Sequence, residues 1–380
     1  MLILDNITIV ICIILVVSAA CSSLFDVFLK KLADGEETDG RDNQKPVSVI
    51  IISDNNANEL SNNLESFLSQ DYPPGYEIIV VVNRDEDGTC DVLNSFSKHK
   101  NLYATFVPDS SRYMSRQKLA ITLGVKAAKN ELILLTDAVC KPMSNHWIDC
   151  MSSKCRDGVD LVIGYSNYSE DASQFKIFSR LYKEYVFMYE ACKDIAYSTF
   201  GNNLLFRKSI FMSGQGFQGN LKYIRGEYDF LINKFSSVGN VSVSISSDSM
   251  LVEDSPSKKT WRNKNMFYFE TRKHLKRSFR HRLIFNLDMF WLYACLLFSV
   301  ASFLYAVLFA KWLMLPFAFI ALFIPIVFRL LNAKRIMRRF NVHVNLLNVI
   351  PFELAFVWNN LKYAIKYRMS DKYEYISHKS

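Results

Sequence analysis

The chain has 380 residues, half of them hydrophobic and 14% aromatic, and carries a formal net charge of +8. This length is enough for one large globular domain together with membrane segments, and the hydrophobic content excludes a largely disordered chain. The eight cysteines form no CxxC pair and show no metal-ligand spacing, which argues against a disulfide framework and favours a reducing compartment.

Three apolar runs in the sequence are long enough to cross a bilayer. They are Ile7 to Phe25, Met289 to Phe309 and Trp312 to Phe328. Basic clusters follow the first run, precede the second and follow the third, and all of them fall on one side if each run crosses once. The positive-inside rule makes that side the cytoplasm, so we expect a bacterial inner-membrane protein with its soluble part in the cytoplasm. The cores of the runs contain no charge that would mark the path of a transported ion or substrate.

A strongly basic segment, residues 258–282, precedes the second apolar run. It holds ten Lys or Arg residues against the single acid Glu270, and aromatic side chains occupy its apolar positions. This composition predicts an amphipathic helix lying on the headgroups of a lipid bilayer. No motif for reading nucleic acid accompanies the basic residues, so a nucleic-acid partner is not expected.

The region between the first and second apolar runs alternates between strand and helix patterns. Seven elements are predicted: strands at 47–52, 77–82, 103–107 and 131–135, and helices at 58–69, 89–97 and 115–129. Such alternation predicts an α/β fold with a mostly parallel, Rossmann-like sheet covered on both faces. Ligands of these sheets bind beyond the carboxyl ends of the strands, so the residues after each strand are the candidate binding residues.

The order of short motifs in this region resembles family 2 glycosyltransferases, which are inverting enzymes with a nucleotide-sugar-binding fold of the GT-A type. The motifs are Pro46-Val-Ser-Val-Ile-Ile-Ile, Glu77-Ile-Ile-Val-Val-Val, Asp87-Gly88-Thr89, Arg116-Gln-Lys-Leu-Ala and Leu132-Ile-Leu-Leu-Thr-Asp137. The resemblance implies a nucleotide-sugar donor. It assigns donor binding to Asn55, Asn83, Asp85, Asp87, Lys118 and Asp137. Asp87 before Gly88 also fits a turn or a helix N-cap.

Asp137 matches the first acid of the Asp-x-Asp element with which the family binds a divalent metal on the donor diphosphate. Mg²⁺ or Mn²⁺ is held in such sites by one or two carboxylates together with phosphate oxygens. In this chain Val139 stands in place of the second acid. The resemblance therefore implies a metal held by Asp137 alone, or a contact of Asp137 with the ribose.

The resemblance also implies a general base that takes the proton of the attacking acceptor hydroxyl. The matching segment is Gly226-Glu227-Tyr228-Asp229, in which Glu227 and Asp229 flank a tyrosine in the expected position of the base. Both acids equally fit the first turn of a helix, where the helix dipole favours negative charge.

A further family element, which contacts the diphosphate from an interface helix, corresponds loosely to Glu270 through His274. The resemblance makes Arg272, Lys273 and His274 candidates for contacting the diphosphate, and the alternative is that they lie on the lipid-facing surface of the interface helix.

We therefore expect a membrane-bound inverting glycosyltransferase of polysaccharide biosynthesis that transfers a hexose-like sugar to a glycan or lipid-linked acceptor at the cytoplasmic face. The alternative is a degenerate relative that acts as a membrane scaffold for other glycosyltransferase subunits, because Asn83, Val139 and Tyr228 replace expected acids.

The predicted layout is a transmembrane helix (1–29), a linker (30–45), the transferase domain (46–257), the interface helix (258–282), a transmembrane hairpin (283–331) and a basic amphipathic tail (332–380).

Overall fold

The computed structural model describes residues 5–32, 44–84, 88–108, 115–193 and 195–376. Most of the predicted linker and the two donor-site candidates Asp85 and Asp87 lie outside these ranges. The chain forms two compact units. The helical unit comprises Met1–Lys31 and Ser278–Leu361, and the α/β unit comprises Leu32–Arg277 and Lys362–Ser380.

The first half of the α/β unit contains the predicted alternation, and each predicted element lies close to its expected bounds. Its elements are β1 (Val47–Asp54), α2 (Ala57–Leu68), β2 (Tyr76–Arg84), α3 (Thr89–Ser95), β3 (Leu102–Phe106), α4 (Arg116–Ala127) and β4 (Leu132–Asp137); α1 belongs to the helical unit. Every residue from Val47 to Ser53 is buried, as expected for a strand covered on both faces.

The second half of the α/β unit adds shorter strands and several helices. These are β5 (Cys140–Pro142), α5 (Trp147–Ser152), β6 (Leu161–Gly164), β7 (Ser166–Tyr168), α6 (Gln174–Lys193), β8 (Leu204–Arg207), α7 (Lys208–Ser213), α8 (Glu227–Phe235), β9 (Val241–Ser244), β10 (Leu251–Glu253) and α9 (Lys258–Thr271).

Seven strands form one sheet in the order β3-β2-β1-β4-β8-β6-β9, and a small sheet has the order β5-β10-β7. In the large sheet β8 runs antiparallel to both of its neighbours, and the other pairs are parallel. The chain order changes direction between β1 and β4, where Ile52 pairs with Asp137 at the carboxyl ends of both strands. This switch point is where open parallel sheets bind their ligands.

Helix α4 packs unusually close to the sheet because Gly124 has no side chain. A Cβ atom at this position would lie 2.7 Å from Cγ2 of Ile50. On the other sheet face, α2 and α5 cover the strands with a buried cluster that includes Phe67 and Trp147, whose rings meet edge to face at 5.6 Å. These contacts fix the sheet edge that carries Asp137.

The basic segment 258–282 forms two helices rather than the single predicted helix. Helix α9 ends at Thr271, and the next helix begins at Phe279. The side chain of Asn233 explains the break, because its Oδ1 accepts from the Lys276 N–H at 2.8 Å and its Nδ2 donates to the Lys276 carbonyl at 2.7 Å. These bonds replace the backbone bonds that a continuous helix needs at Lys276.

The helical unit contains α1 (Asn6–Leu24), α10 (Phe279–Leu308), α11 (Met314–Arg339) and the first part of α12 (Val349–Met369). The helices α1, α10 and α11 are long and apolar enough to cross a membrane. Pro351 does not interrupt α12, although proline inside a helix usually breaks or kinks it. It is the third residue of the helix, where its missing N–H leaves no helical hydrogen bond unmade.

A buried charge cluster lies inside the helical unit. Arg329 of α11 donates from Nη1 to Oε2 of Glu353 at 3.0 Å and from Nη2 to the Asp288 carboxylate, and all three side chains are fully buried. Nearby, Asn332 donates to the buried Asp26 at 2.7 Å. Charge is therefore buried at the ends of the apolar runs, where the sequence pattern indicated only flanking residues.

Candidate active site

A cavity of about 570 Å³ opens at the carboxyl edge of β1 and β4. Because it lies beside the Ile52–Asp137 pair, it coincides with the switch point of the large sheet. It is lined by residues from the segments 52–59, 137–139, 199–202, 225–229 and 253–257 and by one face of α9.

Asp137 lies on the cavity wall at the end of β4. Its Oδ1 accepts a hydrogen bond from the Tyr228 hydroxyl at 3.1 Å. Burial, reinforced by the negative charge of the neighbouring Glu227, raises the pKa of Asp137 to about 7. Tyr228, the residue in the expected position of the base, thus acts as a hydrogen-bond donor to the carboxylate of β4.

Asp229 lines the same cavity and is held by two donors. The Ser198 hydroxyl donates to its Oδ1 at 2.6 Å, and the Thr199 N–H donates to the same oxygen at 3.1 Å. Burial raises the pKa of Asp229 to about 7, although both hydrogen bonds oppose the rise. Both bonds involve Oδ1, so Oδ2 is the oxygen that can accept a proton from a ligand.

Glu227 is the first residue of α8 and is only 8% exposed. Within the described part of the chain its Oε2 has no hydrogen-bond partner. The preceding Gly226 has φ of +89°, and a Cβ there would lie 2.4 Å from Cγ2 of Thr271. Only glycine fits this turn, which brings the acids of α8 to the cavity at the positive end of the helix.

Lys264 of α9 brings a positive charge to the cavity wall. Its Nζ lies 3.5 Å from Oε1 of Glu253, and the other oxygen of Glu253 lies 2.5 Å from Nη1 of Arg180. Burial opposes the charge on Lys264, but Glu253 outweighs it and raises the pKa of the lysine. Lys264 is therefore protonated at neutral pH, and Arg225 adds a second cation to the same wall.

Three of the predicted site residues, Asp137, Glu227 and Asp229, come together in this cavity. Asn55 lies beside it, exposed and with φ of +57°, while its neighbours Asp54 and Asn56 line the wall.

The predicted donor-site residues Asn83 and Lys118 do not line this cavity. Asn83 is buried, and its amide oxygen accepts from Nε of Arg116 at 3.1 Å. Lys118 donates to the carbonyl oxygens of Asn220 and Tyr223 at 2.7 and 2.6 Å, and burial lowers its pKa to about 8. In the structure Lys118 thus holds a loop.

Arg272, Lys273 and His274, the predicted diphosphate contacts, also lie outside the cavity lining. Arg272 covers the ring of Phe269, Lys273 bonds to the hydroxyl of Tyr367, and the His274 ring stacks on Tyr223 at 4.2 Å. These residues follow the last turn of α9, whereas the residues that face the cavity come earlier along the helix.

The sequence-based assignment missed the cavity-facing side of α9. Its residues recur at helical spacing: Thr260, Asn263, Lys264, Phe267, Tyr268 and Thr271. That i, i+3, i+4, i+7 pattern mixes polar and aromatic side chains, so it is not the apolar stripe by which a buried helix face is usually recognised.

The oxygen-rich chemistry of the wall fits a divalent cation of the Mg²⁺ or Mn²⁺ kind. Asp137 and Glu227 repel each other, and Glu227 has an unpartnered buried oxygen, so a bound cation would relieve both costs. Among the described residues, no group of three or more Asp, Glu, His or Cys side chains gathers in a metal-binding arrangement. The fit is therefore to a metal held by one or two protein carboxylates and completed by ligand phosphates.

The mixed sheet, its switch-point cavity and the acids at the ends of β4 and the start of α8 define a glycosyltransferase fold of the GT-A type. The chain belongs to glycosyl transferase family 21, whose sequence profile matches residues 10–368. The expected glycosyltransferase resemblance is thus confirmed, with family 21 as the matching family.

Two individual proteins illustrate the similarity. The mannosyltransferase PcManGT from Pyrobaculum calidifontis, solved with GDP-Man and Mn²⁺, has a TM-score of 0.55 at 17% identity and covers 93% of this chain and 98% of its own. The glycosyltransferase AglE of Haloferax volcanii is 28% identical over 144 residues, which are 36% of this chain and 45% of AglE. The chain therefore spans less than half the length of that curated relative.

Proposed function

We propose that this glycosyltransferase moves a sugar from a nucleotide-sugar donor to a hydroxyl of a glycan or lipid-linked acceptor, with inversion at the anomeric carbon. The observation that carries the proposal is the meeting of Asp137, Glu227, Asp229 and Lys264 in one cavity at the sheet switch point. The overall fold shared with a mannosyltransferase solved with GDP-Man supports a donor of the nucleotide-sugar class.

Asp229 is the proposed general base. Its pKa of about 7 suits a group that must be ionised to accept a proton and protonated to release it afterwards. The acceptor hydroxyl gives its proton to Oδ2 of Asp229, and its oxygen forms the new bond to the anomeric carbon. The bond from that carbon to the diphosphate oxygen breaks with its electron pair, and the nucleoside diphosphate leaves.

The leaving diphosphate gains negative charge, and two features of the cavity wall stabilise that charge. Lys264, kept protonated by Glu253, and Arg225 supply fixed positive charge on the cavity wall. Asp137 and Glu227 would hold a divalent metal, which when bound neutralises further charge on the phosphates. Tyr228 fixes the orientation of Asp137 through its hydrogen bond.

We place the α/β unit on the cytoplasmic face of a bacterial inner membrane. The proposal is supported by the basic clusters that flank the three candidate membrane helices on one side. The basic segment is broken between α9 and α10. We propose that its first part, α9, serves the site, and that residues 272–278, before α10, contact lipid headgroups.

The test is binding of a panel of nucleoside diphosphates, with and without Mn²⁺, to the detergent-solubilised protein. Metal-dependent binding that is lost in Asp137→Ala and kept in Asp248→Ala, an exposed acid away from the cavity, is the expected result. Binding that ignores both the metal and Asp137 would place the donor elsewhere. The absence of binding to any nucleotide would favour the scaffold alternative.

Inversion is tested separately from binding. With the donor identified, the configuration of the newly formed glycosidic bond is determined by nuclear magnetic resonance. A product with the anomeric configuration of the donor would contradict a single displacement assisted by Asp229.

A further inference from the structure

The residues that follow α12, residues 370–376, form a C-terminal strap across the α/β unit. Ile376 makes an antiparallel bridge with Tyr223, and the carbonyl of Tyr375 accepts from the Ile224 N–H at 3.1 Å. The strap therefore adds a short extended segment to the loop that leads into α8. An isolated pair of short extended segments is marginally stable at best in water, so this pairing needs an anchor of its own.

The anchor is an aromatic cluster against α9. The Tyr375 ring is only 3% exposed and meets Phe267 edge to face at 5.1 Å and Tyr367 at 5.3 Å. Its hydroxyl lies 2.8 Å from Oγ of Ser370, and Tyr367 is bonded in turn to Glu270 of α9. Phe267 also lines the cavity, so the strap packs directly behind the cavity wall.

Three further contacts from other elements hold the same loop. The Ser115 hydroxyl donates to the Ile224 carbonyl at 2.7 Å, and Lys118 donates to the Tyr223 carbonyl at 2.6 Å. The Tyr223 ring stacks on His274, whose Nδ1 lies 3.1 Å from the Tyr223 hydroxyl. The backbone at positions 223 and 224 is thus fixed by the strap, by the start of α4 and by the segment after α9.

The next residues along the chain are those of the active site. Arg225 and Glu227, which line the cavity, come directly after Tyr223 and Ile224 in the chain. Gly226, with its left-handed backbone conformation, separates Arg225 from Glu227. Arg225 is bonded directly to Ile224, and Glu227 follows two residues later, so a backbone shift at 224 moves both side chains. The strap, by holding Ile224, therefore bears on the position of a cation and a carboxylate of the cavity.

We propose that the C-terminal strap is a positioning element, with Tyr375 as its anchor, that keeps the 223–227 segment in the conformation that presents Arg225 and Glu227 to the donor. Its effect on turnover rests on the proposed transferase function. The holding of the loop itself is independent of that function, because local opening of a loop can be measured without any substrate.

The experiment compares full-length Tyr375→Ala with Tyr375→Phe and with the matched control Tyr373→Ala. Tyr373 belongs to the same strap but is 67% exposed. Two quantities are measured: the rate of tryptic cleavage after Arg225, followed by mass spectrometry, and kcat and KM for the donor that binds. Cleavage after Lys126, in α4, reports whether the whole unit has become less stable.

Loss of the buried ring in Tyr375→Ala should speed cleavage after Arg225 by at least about tenfold and lower kcat/KM by a similar factor. Tyr375→Phe keeps the ring packing and Tyr373→Ala alters an exposed ring, so both should stay within about twofold of the wild type. Cleavage after Lys126 should not change. Should Tyr375→Ala fail to accumulate, Tyr375→Leu gives the same comparison with a smaller loss of packing.

Unchanged cleavage after Arg225 in Tyr375→Ala would overturn the proposal, as would an equal acceleration at Lys126, which would show a global loss of stability. Strap-dependent cleavage in a protein that binds and turns over no donor would instead contradict the transferase function and leave the strap supported. Faster cleavage after Arg225 with unaltered kcat and KM would show that the strap holds the loop without positioning the site. That result would overturn the proposal.

Discussion

Replacing Asp229 by asparagine tests the proposed base with little disturbance of the fold. The amide oxygen of the asparagine can accept the same bonds from the Ser198 hydroxyl and the Thr199 N–H, so the segment around it should keep its conformation. The lost proton acceptor should lower kcat by about 10²- to 10⁴-fold, the usual contribution of a positioned general base. Donor binding should change much less, because Asp229 acts on the acceptor.

The pKa of Asp229 also predicts how the activity and the stability of the wild type and of Asp229→Asn depend on pH. Ionisation of a base with a pKa of about 7 should make kcat/KM of the wild type rise with pH through neutrality and then level off. The same raised pKa means that the folded protein holds a proton that the unfolded chain has released between about pH 4 and 7. This contribution of Asp229 to stability is therefore complete below about pH 4 and is lost as the pH rises to 7.

The amide that replaces the carboxyl group does not titrate. As the pH rises from about 4 to 8, the stability of Asp229→Asn should therefore increase relative to that of the wild type, as measured by denaturant unfolding in detergent.

The rate measurement uses saturating donor at about pH 8, above the pKa of the base, with Asp248→Asn as the matched exposed control. If Asp229→Asn kept more than about a tenth of the wild-type kcat, Asp229 would not be the base. Equal losses in both variants would show a fault of the preparation rather than of the site.

Three further predictions address the metal, the diphosphate and the helical unit. Val139→Asp restores the missing second acid on the cavity wall, so the Mn²⁺ concentration that gives half-maximal activity should fall by about tenfold; an unchanged concentration would indicate that no metal binds beside Asp137. Lys264→Gln should weaken binding of the nucleoside diphosphate by about 10- to 100-fold, as measured by calorimetry, because a charge-assisted hydrogen bond is lost; unchanged affinity would place the diphosphate elsewhere. Arg329→Met leaves buried carboxylates unpaired and should lower the free energy of unfolding in detergent by about 3–5 kcal/mol, whereas Arg338→Met, at an exposed position, should have little effect.

The sequence by itself determined the local elements and the edge of the sheet that carries the site. Hydrophobic periodicity depends on residues a few positions apart, so it located β1, α4 and β4 closely and identified the three apolar helices. Because parallel strands share one carboxyl edge, the position of Asp137 at the end of a strand was enough to mark it as a candidate.

Only the tertiary structure decided which other side chains share that edge. The partners of Lys118 are backbone oxygens 102 and 105 residues further along the chain, and the pairing of Lys264 with Glu253 depends on how α9 packs against a strand end. The same is true of the strap, since Tyr375 meets the loop at Ile224, which lies far earlier in the chain. Contacts of this kind leave no periodic pattern in the sequence, because they are fixed by packing and not by residue spacing along the chain.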